Sequence, residues 1–200
     1  MEQRVTFYSG NLKLEGYLNF LSSEKAVIVT HPHPLYGGDM SNMVVELLIE
    51  TFKSKGFSTL RFNFRGVGGS QGHYSDGIGE VKDVCAAAKY LKEKKFRHLI
   101  LAGYSFGAWI NASVKCDDLV FESMVMVSPP VAFMDFAPVQ AIDNLSVVVT
   151  GSLDEIAPPE KIEQFLSSWN PSACLEIIDG ADHFYWNHFK ALDQTIAAYI

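Results

Sequence analysis

Gly103-Tyr104-Ser105-Phe106-Gly107 is the stretch whose residue types point most directly to chemistry. The apolar run Leu99–Ala102 leads into it and a helical pattern follows at once, so the serine falls at a strand-to-helix junction. A chain that turns sharply there holds its central residue in a strained conformation with the side chain exposed. The flanking glycines let strand and helix pack closely. An N-capping serine on an ordinary helix would explain Ser105 but not both glycines. The chemistry such a hydroxyl suits is nucleophilic attack, for which a serine needs a base. Of 6 histidines, His183 is the candidate, because it sits between the strand Cys174–Ile178 and the last helix, in a loop at the same sheet edge as Ser105. His188 reads as a surface or packing residue, His98 opens a strand at the opposite edge, and nothing holds His73 at the site. The base in turn needs a carboxylate to orient it and stabilise the imidazolium. Asp154, between the strand Ser146–Thr150 and a helix, is the candidate. Asp135 is a weaker alternative, Glu155 would face elsewhere, and Asp182 is too close in sequence to His183 to aim at it.

A second stretch, His31-Pro32-His33-Pro34-Leu35-Tyr36-Gly37-Gly38, has two readings. Two histidines one residue apart could clamp a metal, but no third ligand stands nearby and the prolines restrict both side chains. The expectation is a shaped loop, with no metal and no cofactor, in which the histidine rings pack and hydrogen-bond around the loop.

The elements that must position these groups alternate along the chain. Val5 to Phe20 reads as a hairpin turning at Ser9-Gly10-Asn11. Further strands are expected at Ala26–Thr30, Ser58–Phe64, His98–Ala102, Ser123–Val127, Ser146–Thr150 and Cys174–Ile178. Helices are expected at Met43–Phe52, Gly79–Lys94, Phe106–Val114, Pro159–Trp169 and from the His183 loop to Ile200. This order predicts an α/β fold: a mostly parallel sheet covered on both faces, with an antiparallel N-terminal hairpin at one edge. No repeat or linker interrupts it, so residues 1–200 are expected to form a single domain.

Bulk composition fits that expectation. A 200-residue chain that is 48% hydrophobic and 20% charged has enough apolar material for a real core. A net charge of −7 argues against nucleic acid or an anionic membrane as partner. No apolar run approaches a membrane span, and no signal core follows Met1. Cys85, Cys116 and Cys174 show no C-x-x-C spacing, so neither a disulfide framework nor a zinc site is indicated, and a reduced, cytoplasmic location is expected.

The chain order Ser105, Asp154, His183 resembles that of the α/β-hydrolase superfamily. Arg61-Phe62-Asn63-Phe64-Arg65-Gly66, the His31–Gly38 loop, Gly103–Gly107 and Gly180-Ala181-Asp182-His183-Phe184 are similar to the small, lidless branch related to dienelactone hydrolases. Two positions depart from that pattern. Asn63 stands where Asp is usual, and Ser105 where the dienelactone enzymes carry cysteine, so their substrate does not carry over. The resemblance implies an α/β-hydrolase fold over nearly the whole chain and a serine hydrolase cleaving an ester or related acyl bond of a small substrate. It implies an oxyanion hole formed by the N–H of Phe106 and a donor from the His31 loop. Pro32 and Pro34 have no N–H; one alignment makes His33 the donor, a shift of two makes it Leu35, and Tyr36 is third. Larger relatives insert a cap where residues 128–145 stand, a stretch too short for one. The site is therefore expected to be open, with Tyr36, Phe133, Phe136 and Phe184 as candidates for its border; core or surface packing is the alternative reading of these aromatics. Two rivals share these residues: a ligand receptor or scaffold of the same fold, and an acyltransferase. The sequence does not read out an oligomeric state.

Overall fold

The computed structural model describes residues 2–116, 119–139 and 141–200. Among these residues eight strands form one sheet: β1 (Glu2–Ser9), β2 (Leu12–Asn19), β3 (Lys25–Thr30), β4 (Ser58–Phe62), β5 (His98–Tyr104), β6 (Ser123–Val127), β7 (Leu145–Gly151) and β8 (Cys174–Ile178). Their spatial order is β1-β2-β4-β3-β5-β6-β7-β8. β1 and β2 pair antiparallel with Ser9 opposite Leu12, and β2 runs antiparallel to β4. From β4 through β8 every pair is parallel. The sheet is therefore the mostly parallel one, with an antiparallel N-terminal hairpin at one edge, that the strand–helix alternation predicts.

Among the described residues five helices cover the sheet: α1 (Met43–Ser54), α2 (Ile78–Glu93), α3 (Phe106–Ala112), α4 (Pro159–Trp169) and α5 (Phe189–Ala197). Successive residues of β3 point to opposite faces, as strand geometry requires. Ala26 and Ile28 join a core with Val84 and Ala88 of α2, Ile110 of α3 and Ile162 of α4. Val27 and Val29 join a second core with Leu48 and Phe52 of α1 and Leu192 and Ile196 of α5. Burial on both faces is why these strands read as continuous apolar runs. The last helix starts later than the periodicity suggests, because Tyr185 and Asn187 hold positive φ angles of 58° and 66° that a helix cannot include. His188 consequently caps α5 instead of lying within it.

One expectation is corrected. Cys85 on α2 and Cys116, just beyond α3, form a disulfide with Cα atoms 5.5 Å apart, leaving Cys174 free and exposed. The pair lies 31 residues apart in sequence, so no local motif could signal it. The packing of α2 beside α3 brings the two together. That pairing removes the cysteine argument for a reducing compartment. Among the described residues no helix is long and apolar enough to cross a membrane.

Candidate active site

All the loops that matter leave the carboxyl edge of the parallel strands. β5 ends at Tyr104, and Ser105 adopts φ 54° and ψ −120° before α3 begins. Such a conformation costs a non-glycine residue about 1–3 kcal/mol, so the surroundings must enforce it. They do so by close approach. A Cβ on Gly103 would sit 2.7 Å from the Ala108 nitrogen, and one on Gly107 would sit 2.5 Å from the Thr30 carbonyl oxygen. Any side chain at either position would push α3 off the sheet. The Ser105 N–H donates to Val127 O at 2.9 Å, tying the turn to β6.

The loops after β7 and β8 bring two partners to this hydroxyl. His183 Nε2 lies 3.0 Å from Ser105 Oγ, and its Nδ1 lies 2.8 Å from Asp154 Oδ2 and 3.0 Å from Oδ1. A carboxylate only accepts, so Nδ1 carries the proton and Nε2 is left to accept from the serine. All three side chains are buried. The two loops meet at a backbone joint: Leu153 N–H donates to Ala181 O at 2.9 Å, and a Cβ on Gly151 would lie 2.1 Å from that same oxygen. Burial opposes charge on Asp154, but hydrogen bonds from His183, Ser128 and the Ala157 N–H outweigh it. They hold the carboxyl below its ordinary range. The carboxylate also accepts from the Ile156 N–H at 2.9 Å.

The loop after β3 is built around its histidines. His31 is fully buried; its Nδ1 lies 2.7 Å from Pro32 O, and its Nε2 accepts from the Phe64 N–H at 3.0 Å. Burial pushes its pKa down to about 4, against a smaller opposing pull from the Pro32 carbonyl. His33 Nδ1 accepts from the Leu35 N–H at 3.2 Å, and its Nε2 faces Tyr74 Oη at 3.3 Å. The Tyr36 N–H donates to His33 O at 3.1 Å. Leu35 and Tyr36 therefore use their N–H groups inside the turn, whereas those of His33 and Phe106 have no acceptor among the described residues. The rings of His33 and Phe106 touch, with centroids 4.7 Å apart. Asn63 accepts from the Met40 N–H at 2.9 Å and donates to Glu15 at 2.8 Å, a bridge that the usual Asp could not make in its charged form. Among the described residues no group of three or more His, Cys, Asp or Glu side chains is placed to hold a metal.

No protein-family model matches the chain. An uncharacterized protein of Rickettsia prowazekii (strain Madrid E) is 32% identical over 209 residues, spanning 98% of this chain and 88% of that protein. The structure of an α/β serine hydrolase homologue from Coxiella burnetii superposes with a TM-score of 0.88 at 33% identity, over 98% of this chain and 96% of that one. The chain belongs to the α/β serine hydrolase family. A lidless α/β serine hydrolase from Xanthomonas campestris is also similar, with a TM-score of 0.88 at 27% identity over 98% of this chain and 92% of its own.

Within this α/β serine hydrolase the aromatic residues expected at the border divide. Tyr36, Phe133 and Phe184 are 85%, 72% and 54% exposed, and the Phe184 ring stands edge-on to His183 at 5.7 Å. Phe136 is corrected to a core residue: it is 2% exposed, and its ring packs on Trp169 at 5.1 Å. The alternative acids are occupied elsewhere. Asp135 accepts from the Ala137 N–H at 2.9 Å, Asp182 accepts from the Phe184 N–H at 3.0 Å, and Glu155 is exposed. His98 pairs with Glu122 at the far end of β5, and His73 is exposed.

Two supporting residues escaped the sequence reading. Tyr104 donates its O–H to His183 O at 2.9 Å, and Ser128 Oγ lies 2.7 Å from the buried Tyr185 hydroxyl. Burial raises the Tyr185 pKa well above the ordinary range, so it remains a neutral partner. Tyr104 lies inside the Gly103–Gly107 motif and could have been suspected from that position. Ser128 carried no signal beyond following a strand.

Proposed function

We propose that this hydrolase cleaves a carboxylic ester or related acyl bond through an acyl-enzyme on Ser105, with His183 as base and Asp154 as its orienting acid. The observation that carries this reading is the unbroken run of hydrogen-bond distances from Ser105 Oγ through His183 to Asp154, 3.0 and 2.8 Å. Ser105 Oγ attacks the carbonyl carbon as its proton passes to His183 Nε2. The carbonyl electron pair moves onto oxygen, where the N–H groups of Phe106 and a residue of the His31 loop receive it. Collapse expels the alcohol, which takes the proton from His183. Water then repeats the sequence and releases the acid. His33 is the better second donor, since the Leu35 and Tyr36 N–H groups are already bonded within the turn.

The surroundings favour a small, neutral, apolar substrate. Leu35, Tyr36, Phe133, Leu153, Phe184 and Trp186 are all exposed on loops leaving the carboxyl edge of the sheet. The one Arg in the loop between β4 and α2, Arg65, is neutralised by Asp83 at 2.7 Å, so it offers no free cation to an anionic substrate. A fluorophosphonate probe should leave its adduct on Ser105, and the Ser105→Ala variant should stay folded but lose both labelling and hydrolysis of p-nitrophenyl esters. An adduct on a different serine, or ester hydrolysis surviving in the alanine variant, would refute the assignment.

A further inference from the structure

His31 is a fully buried titratable side chain for which the proposed chemistry has no use. Its environment is nevertheless closely specified. The Pro32 carbonyl can only accept and the Phe64 amide can only donate, so the ring is neutral with its proton on Nδ1. The ring also stacks edge-on against Phe64, with centroids 4.7 Å apart. Both nitrogens are thus satisfied by backbone, one on the histidine's own loop and the other just beyond β4.

What this achieves follows from the peptide that His31 grips. The Pro32 carbonyl and the His33 N–H belong to one planar unit, and no peptide is cis among the described residues. In a trans peptide the C=O and N–H point in opposite directions, and the plane is stiff. Holding the oxygen therefore aims the hydrogen. The same oxygen is hemmed from a second side, because a Cβ on Gly38 would lie 2.2 Å from it. The Gly38 N–H in turn donates to His33 O at 3.0 Å, so the peptide that follows is fixed as well. The N–H so aimed is the one in the turn without an acceptor, on the residue whose ring touches Phe106.

We propose that His31 is a positioning residue for the oxyanion pocket: by holding the Pro32 carbonyl from beneath, it sets the direction of the His33 N–H on the same peptide. The inference rests on the reading of Ser105 as nucleophile and on no other assumption about substrate. Hydrogen bonds weaken steeply as their angle departs from linear, so a modest rotation of this plane should matter most when charge gathers on the oxygen.

The test compares a tetrahedral mimic with a look-alike that cannot form one. An aryl trifluoromethyl ketone accepts Ser105 Oγ at its carbonyl carbon, with the serine proton passing to His183 and the negative charge held on oxygen. The matching secondary alcohol binds without that step. In His31→Leu and in Gly38→Ala, kcat for a p-nitrophenyl ester should fall on the order of 10²-fold, the low end for loss of an oxyanion donor. KM should hold, and the ketone's inhibition constant should rise in step with the loss in kcat. The alcohol's inhibition constant should not move. His31→Asn, whose amide N–H can replace Nδ1–H, should recover most of the lost rate. In the wild-type protein the His33 amide proton should shift downfield when the ketone is added. Unchanged kcat in both His31→Leu and Gly38→Ala, equal weakening of ketone and alcohol, or an unmoved His33 resonance would each overturn the proposal. Should His31→Leu fail to fold, Gly38→Ala, His31→Asn and the wild-type resonance still decide it. Absence of fluorophosphonate labelling at Ser105 in the wild type would instead remove the reading of the site itself.

Discussion

His31 and His183 occupy matching situations at one edge of the sheet and should do opposite things. Each is buried in a loop that leaves a parallel strand. In each, Nδ1 faces an oxygen acceptor and Nε2 faces a group able to donate to it. The difference lies in the partners. His31 donates to a carbonyl and accepts from an amide N–H, which does not give up its proton. His183 donates to a carboxylate and faces a hydroxyl, whose proton can leave once an anion is forming on substrate. Burial alone makes a histidine a neutral strut. Burial beside a full negative charge makes it a base, because the imidazolium that forms is already compensated.

Removing that negative charge should abolish the difference and gives the largest expected effect. Asp154→Asn leaves His183 with a neutral amide partner and should lower kcat on the order of 10⁴-fold, as loss of the orienting carboxylate does in better-known triads. Asp135→Asn should leave kcat unchanged. Steady-state kinetics on the two variants checks the assignment, and the reverse pattern would transfer the role to Asp135.

The next effect concerns His31 and stability rather than rate. The folded protein keeps its ring neutral down to about pH 4, whereas the unfolded chain protonates it from about 6.5. Its contribution is therefore complete above pH 6.5 and is lost as pH falls through 6.5 towards 4. The loss should be about 3 kcal/mol over that range, with Asp39 drawing the ring's pKa the other way and His33 adding to its depression. Urea unfolding at pH 7 and pH 4.5 should show the loss, and His31→Asn should flatten it. A wild-type stability that stays level across this interval would mean that the folded ring takes up its proton over the same pH range as the unfolded chain. Asp154 acts in the same direction but lower on the scale, since its carboxyl is held below the ordinary range and its contribution fades only in stronger acid.

The smallest expected effect is none. With both His31 nitrogens bonded to backbone, dialysis against a strong chelator should leave ester hydrolysis unchanged. A fall restored by zinc would show that the two histidines of the loop bind metal after all.

How much of this was legible depended on whether the signal was local. The strand–helix alternation, the hairpin at Ser9–Asn11 and the glycine pair around Ser105 are each written within a few residues, and the sheet follows them. The grouping of Ser105, Asp154 and His183 could be suggested from chain order, but only the fold could place them within hydrogen-bonding reach. The choice between His33 and Leu35 was not legible, because it depends on which N–H the turn already uses, down to a histidine ring nitrogen. Phe136 read as a border aromatic because it lies in the short stretch between β6 and β7 where larger relatives insert a cap, yet Trp169 and Phe165 on α4 cover it. Cys85 and Cys116 meet only because two helices pack side by side.

The joint between Gly151 and Ala181 bears on how this protein can be recombined. The segment carrying Asp154 and the segment carrying His183 touch backbone to backbone, with space for no side chain at residue 151. Neither loop can be lengthened or exchanged without the other meeting a changed surface. Chimeras with relatives should therefore stay active when residues 145–188 are swapped as one cassette, and fail when the segments around Asp154 and His183 come from different parents. The two loops should be inherited as a unit even where the rest of the sheet diverges.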